Sequence, residues 1–287
     1  MKSIGLYVHI PFCKTKCPYC DFNTYEGIEI LMAPYVDALC KEVTLWGNVI
    51  DHPKVGTVFF GGGTPSFIGA DQIQHIMETV NDCFQLNDST EITLEINPDD
   101  VTSQKLEAFI ECGINRLSLG VQSLDDGILK EIGRRHSAKD AVDAYKMAKV
   151  TGFKNISLDL MYGLPNQRMV EWEETLNYAV GLQPDHISAY CLTLEDGTPM
   201  EKQVRQGYLP TPDPDLAAEM YLETIKVLQK HGYIHYEISN WAQKDKYSMH
   251  NLKYWANEMY LGVGPKAHSY MDRYRFYQVK SPKTYIK

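Results

Sequence analysis

The chain has 287 residues, 44% of them hydrophobic and 23% charged, with a net charge of −9 and a pI near 5.5. That length is ample for one large core, and the ordinary composition excludes a disordered, collagen-like or low-complexity chain. The acidic balance excludes a general nucleic-acid binder, whose electrostatic footprint is basic, so no nucleic acid is expected as a partner. In chain order, Ile4 to Ile10 alternates bulky and small residues and runs into Pro11, which reads as a first strand. Residues 34–49 carry Val36, Leu39, Val43 and Trp46 at helical spacing. Val55 to Phe60, rich in β-branched and aromatic residues, reads as a second strand that ends in Gly61-Gly62-Gly63-Thr64-Pro65. The rhythm continues with helix 70–84, strand 91–96, helix 103–112, strand 114–120, helix 138–151, strand 154–161, helix 169–182, strand 185–191, helix 214–230 and strand 233–238. Gly113, Gly152 and Gly232 each stand where a helix needs a left-handed residue to stop, and Ser137 with Asp140 forms a capping box. Residues 196–215, with Pro199, Pro210, Pro212 and Pro214, read as a boundary or a long surface connection.

Strands alternating with helices imply parallel pairing through right-handed crossovers. This leaves an open doubly wound sheet or a full or partial α/β barrel. Polar groups of interest follow five consecutive strands: the cysteines near residue 13, Gly61 to Thr64, Glu95 with Asn97, Gln122 and Asp159. Such convergence favours a barrel mouth, because an open sheet concentrates its site at one crevice.

The loop after the first strand holds Cys13, Cys17 and Cys20 in a Cys-x3-Cys-x2-Cys spacing. It has one ligand fewer than a closed four-thiolate site, so a metal centre there keeps an open position. Structural zinc prefers a closed tetrahedron, and no second cysteine or histidine pair lies at finger spacing, so an iron–sulfur cluster with one protein-free iron fits better. A disulfide with a spare thiol, or three unrelated buried thiols, are the alternatives. Cys40, Cys83, Cys112 and Cys191 are scattered and are expected to be reduced core thiols. The N-terminus lacks the features of a secretory signal and no run approaches the ~20 apolar residues of a spanning helix, so a cytoplasmic location is expected. Peripheral membrane contact stays open, because an interfacial attachment needs no spanning segment.

The glycine run after strand two lets backbone approach a ligand and donate N–H groups to it, or else makes a tight strand-to-helix turn. Glu95, Gln122 and Asp159 are polar groups at the ends of apolar strands, suited to a ligand's polar atoms or to a half-exposed face. Arg134 can meet a carboxylate with its two-pronged fork, or serve as a cation at a helix C-terminus.

Tyr7-Val8-His9-Ile10-Pro11-Phe12-Cys13 and the cysteine loop behind it resemble the cluster-binding segment of radical S-adenosylmethionine (SAM) proteins. More narrowly, they resemble the oxygen-independent coproporphyrinogen III oxidase family, which includes the heme chaperone branch HemW. The resemblance implies an α/β fold built on a partial, TIM-like (β/α)6 barrel with a less regular C-terminal extension. It implies a [4Fe–4S] cluster on Cys13, Cys17 and Cys20, with SAM at the open iron. Tyr7, Tyr19, Gly62, Gly63, Thr64, Glu95, Gln122, Arg134 and Asp159 match the family's SAM-contacting positions. The oxidase branch has a fourth cysteine two residues after the third, where this chain has Phe22.

His250-Asn251-Leu252-Lys253-Tyr254-Trp255 fits the His-Asn-x-x-Tyr-Trp motif of the HemW branch, which marks His250 as a heme ligand or as part of the barrel's lower rim. His268, in a second glycine-rich stretch, is a further candidate. The resemblance therefore implies a heme chaperone with SAM and a [4Fe–4S] cluster as cofactors, heme as cargo and respiratory hemoproteins as acceptors. The alternative is SAM-dependent oxidative decarboxylation of coproporphyrinogen III, and a zinc-stabilised α/β protein is the third reading. Residues 1–240 are expected to form the radical SAM core, and 241–287 to begin a C-terminal HemW-like region that family members continue beyond this point.

Overall fold

The computed structural model describes residues 3–287. Its strands have two unlike faces. In β1 (Ile4–Ile10), Leu6, Val8 and Ile10 are fully buried on one side, while Tyr7 and His9 alternate onto the other. The division recurs along β2 (Val55–Gly62), β3 (Glu91–Ile96), β4 (Arg116–Gln122), β5 (Ile156–Tyr162) and β6 (His186–Cys191). Val58 and Phe60, Leu94, Leu117 and Leu119, and Leu158 and Leu160 are completely buried. Alternating with them, Phe59, Thr93, Glu95, Arg116, Ser118, Ser157, Asp159, His186 and Ser188 share the opposite face with Tyr7 and His9. Each fully buried aliphatic side chain stabilises the fold by roughly 1.5–3 kcal/mol relative to exposure. A slip of one residue in register would drive the polar set under the helices, so this alternation fixes the pairing.

The covering helices are α1 (Met32–Val49), α2 (Ala70–Cys83), α3 (Ser103–Glu111), α4 (Asp126–Glu131), α5 (Ala138–Thr151), α6 (Met169–Gly181), α7 (Pro199–Arg205) and α8 (Pro214–Lys230). Strands β1 to β6 are parallel neighbours in sequence order, the partial barrel that the family resemblance implies and one of the arrangements that the alternating pattern left open. On the β6 edge, β7 (Ile234–Glu237) and β8 (Asn240–Ala242) add antiparallel strands. On the β1 edge, β9 (Tyr260–Val263) adds a parallel strand, followed by antiparallel β10 (His268–Met271) and β11 (Tyr274–Tyr277). Two short helices, α9 (Met249–Trp255) and α10 (Pro282–Tyr285), complete the order. We keep 1–240 and 241–287 as a proposed division, one that the sheet itself runs across.

The local signals act as expected. Ser137 Oγ accepts from Asp140 N at 3.1 Å while Asp140 Oδ2 accepts from Ser137 N at 2.8 Å, closing the capping box. Gly113, Gly152 and Gly232 all have positive φ, at 89°, 120° and 84°. Other expectations need correction. Strand β4 begins at Arg116 and not at 114, because Ile114 and Asn115 are used in climbing to β3, where the Asn115 side chain accepts from Ile92 N at 2.9 Å. Helix α4 was not expected; Asp125 caps it by accepting from Ile128 N at 2.8 Å. The proline-rich segment 196–215 is not only a connection: it contains α7, with Thr198 as cap and Pro199 at the first helical position. Thr198-Pro199-Met200-Glu201 carried that signal in the sequence.

Candidate functional site

The cysteine loop is folded back on itself before any metal is considered. Cys13 N donates to Tyr25 O at 2.9 Å and Tyr25 N donates to Pro11 O at 2.8 Å, which closes the loop at its base. Met200 N of α7 donates to Pro18 O at 2.9 Å, and Met200 is fully buried, so the misjudged proline-rich segment braces this loop. Tyr19 packs on the small apolar cluster of Ile132, Met161, Leu164, Leu192 and Met200.

Facing the loop is a cavity of about 570 Å³ at the C-terminal ends of the parallel strands. It brings together Tyr7, Cys13, Cys17, Tyr19, Cys20, Gly62, Gly63, Thr64, Glu95, Gln122, Arg134 and Asp159, with His250 in its wall. His268 stands apart on β10, exposed, with its ring 5.3 Å from that of Tyr277.

Arg134 is held from three sides. Its Nη2 donates to Asn97 Oδ1 at 2.7 Å and to Gly120 O at 2.8 Å, and its Nη1 donates to Cys17 Sγ at 3.5 Å. Asn97 Nδ2 donates to Thr64 Oγ1 at 3.2 Å, and Thr64 Oγ1 donates to Cys13 Sγ at 3.7 Å, so two of the three thiols belong to one network. Burial pushes the Cys13 and Cys20 thiols up, which favours the neutral form, and loading a metal there releases protons. Among the described residues, no three His, Cys, Asp or Glu side chains close on a single metal ion. A cubane cluster takes one thiolate at each of three irons and so spreads its ligands wider than one zinc does, which is the set this loop offers.

The other walls are equally specific. Gly62 N donates to Glu95 Oε2 at 3.2 Å, tying the glycine turn to β3. Gln122 lies in the left-handed region with φ of 66°, at an irregularity in the β4–β5 register that places its side chain in the cavity wall. Asp159 accepts from Ser118 Oγ at 2.7 Å and from Ser157 Oγ at 3.0 Å. The His9 ring passes a hydrogen bond along: Nε2 donates to Asn23 O at 3.1 Å, which leaves Nδ1 to accept from Tyr7 Oη at 2.9 Å. Burial lowers the His9 pKa, in keeping with that neutral tautomer.

Desolvation, and after it the Asp159 charge, raises the Glu95 pKa from 4.5 to about 8. A raised pKa means that the folded chain favours the protonated carboxyl. Its contribution to stability is full below about pH 4.5 and is lost as pH climbs toward 8. Asp159, also raised by burial, adds a slope of the same sign. In denaturant unfolding of the metal-free chain across this range, Glu95→Gln is expected to lose less stability than the unsubstituted protein. Parallel pH curves for the two would show that Glu95 titrates as an ordinary surface carboxylate.

The structure places His250 at the lower rim of the barrel, where it also lines the cavity. It opens α9, which sits beneath the barrel against the N-terminal ends of β2 and β3. Its Nδ1 is paired with Thr57 Oγ1 at 2.8 Å and its Nε2 with Tyr254 Oη at 2.8 Å. The ring also lies against Phe59, 5.2 Å away, and is almost completely buried. Burial lowers its pKa to about 3. In this arrangement the residue belongs to the lower rim, and ligating iron would cost one of its two hydrogen bonds. Glu91 fixes the helix by accepting from Met249 N and His250 N, each at 3.0 Å. Glu91→Ala is therefore expected to lower unfolding stability by about 1–3 kcal/mol, with an unchanged denaturation midpoint as the contrary result.

A parallel arc with three cysteines after its first strand and a glycine cradle after its second defines a radical SAM protein, and the radical SAM superfamily profile matches residues 7–179. The chain is 40% identical over 287 residues to the heme chaperone HemW of Bacillus subtilis, covering 100% of this chain and 75% of that one. It belongs to the HemW family within the radical SAM superfamily. It is also 43% identical over 264 residues to the mouse mitochondrial radical S-adenosyl methionine domain-containing protein 1, covering 92% of this chain and 60% of that one. Among solved structures, the Escherichia coli coproporphyrinogen III oxidase HemN superposes with a TM-score of 0.88 at 26% identity, covering 99% of this chain and 68% of that one.

Sequence reasoning found the thiols and the strand-end residues that line the cavity. It missed Arg116, which opens β4 and lines the same cavity, because one charge early in the expected strand 114–120 reads as the solvated side of the alternation.

Proposed function

We propose that this chain is a heme chaperone of the HemW type, carrying a [4Fe–4S] cluster and SAM, binding heme as cargo and passing it to respiratory hemoproteins. The observation that carries the reading is 40% identity along the whole chain to a heme chaperone HemW. Cys13, Cys17 and Cys20 would hold the cluster, which with SAM supplies one-electron chemistry at an open iron when bound. Gly62 and Gly63, having no side chain, would let the backbone approach the methionyl part of SAM beside Thr64, Glu95 and Asp159 would meet its polar groups, and Tyr7, Tyr19 and Gln122 would line its path. Arg134, already fixed by Asn97 and Gly120, would keep a guanidinium beside Cys17 at little ordering cost. His250 enters as part of the floor on which Tyr254 is positioned.

Handing heme to respiratory acceptors implies work near a membrane. No helix among the described residues is long and apolar enough to cross one, so we propose peripheral contact. The likeness to coproporphyrinogen III oxidase supports porphyrin oxidation as the second reading. Against it stands Phe22, 65% exposed at the cavity lip where the oxidase branch has a cysteine.

The test is anaerobic reconstitution with iron and sulfide, then heme titration and a coproporphyrinogen III turnover assay. A heme-induced absorbance change without turnover is expected. Protoporphyrinogen formation with no heme-induced change would overturn the chaperone reading.

A further inference from the structure

Arg116 is 2% exposed, lines the cavity and is unlike the other arginine there. Its Nε, like that of Arg134, has no hydrogen-bond partner, and among the described residues no carboxylate stands within ion-pair distance of its guanidinium. Thr93, opposite Arg116 in the β3–β4 register and completely buried, also has a hydroxyl without a partner. A buried charge without hydrogen bonds is costly, and such groups ordinarily pair with another residue or with a ligand. Arg134 shows the contrast, since its fork is taken up by Asn97, Gly120 and Cys17.

Resting on the functional reading above, we propose that Arg116 is the carboxylate anchor of this cavity, receiving an aliphatic carboxylate of a ligand that reaches the barrel floor. Strand β4 has 7 residues, so Arg116 begins roughly 20 Å along the strand from Gln122 and the mouth where the cysteine loop lies. The acid it receives is thus a different one from any carboxylate held at the cluster beside Arg134.

The groups whose charges Arg116 feels are Glu95 on β3, Asp159 on β5, His186 on β6, Tyr236 on β7 and His250 on α9. Burial lowers the pKa of both histidines, and it raises that of both carboxyls while the Arg116 charge draws each of them back down. A planar fork suits a carboxylate in a way that a lysine ammonium does not.

Two carboxylate sources fit this chemistry, a propionate of heme and the amino-acid carboxylate of a SAM molecule bound away from the cluster. The experiment separates them in the cluster-loaded full chain by comparing heme with heme dimethyl ester, and SAM with decarboxylated SAM. Binding is read by absorbance and calorimetry in the unsubstituted protein, Arg116→Lys and Arg116→Gln. Arg116→Lys keeps the buried charge and Arg116→Gln the hydrogen-bonding shape, so at least one remains testable if the other folds poorly. The unsubstituted protein is expected to prefer one free acid by at least about 10-fold, equivalent to roughly 1.4 kcal/mol, and both variants to lose that preference. The pair whose preference disappears identifies the source. Equal affinity for acid and neutral analogue in both pairs, or no pair whose preference is lost in the variants, overturns the proposal. If heme fails to bind the unsubstituted protein at all, the chaperone reading falls, while the SAM pair still decides the role of Arg116.

Discussion

Cys17→Ala, reconstituted anaerobically with iron and sulfide, is expected to give a colourless protein with iron and sulfide near background, where the unsubstituted chain turns brown. Two remaining thiols cannot hold three corners of a cubane cluster. The fold should survive, because Arg134 loses only its 3.5 Å contact with Cys17 and keeps Asn97 and Gly120. Circular dichroism checks that the fold is retained, and Cys40→Ala provides the control: Cys40 is buried between α1 and α2, away from the cavity, and its loss should leave the visible spectrum unchanged. An intact cluster spectrum in Cys17→Ala would defeat the radical SAM assignment of this loop, whatever the rest of the chain resembles.

Gly63→Ala should have the second large effect, and for a steric reason. A Cβ at this position would stand 2.6 Å from Phe12 O, 2.8 Å from Ile10 O and 3.1 Å from Cys13 Sγ. The first two are backbone atoms of the segment that carries the cysteine loop, so no side-chain rotation relieves the clash. The same backbone is held by hydrogen bonds from Gly63 N to Ile10 O and from Thr64 N to Phe12 O, each 2.8 Å. Overpacking of this kind costs typically about 1–3 kcal/mol, and here the displaced atoms include a proposed cluster ligand. A lower unfolding midpoint together with reduced iron loading is expected. Gly181→Ala is the comparison, because a Cβ there meets nothing within 4 Å and helix propensity favours alanine. Full iron loading in Gly63→Ala would show that the loop can move away from the glycine turn without losing the site.

Much of the site was legible because its signals are local. Three thiols within one loop, a glycine run after an apolar strand and single polar residues at strand ends each report chemistry over a few residues. The turn glycines and the Ser137 cap were legible for the same reason. Reading failed where partners are far apart in the chain. Thr57 and His250 are separated by 193 positions, and no periodicity announces that the imidazole will meet a threonine hydroxyl beneath the barrel. Segment 196–215 looked like a connection because its prolines mask a short helix, whose value lies in what Met200 does for Pro18.

The sequence by itself determined the strand and helix rhythm and the inward and outward faces of each strand, which follow from steric periods of two and 3.6 residues, and the three-thiol spacing, which is local to one loop. Only the tertiary structure decided which inward residues share one cavity. That depends on the parallel register of six strands and on α9 closing the lower rim. It set Arg134 in a network with Cys17, engaged both nitrogens of His250, and left the buried Arg116 facing the cavity without a hydrogen-bond or ion-pair partner among the described residues.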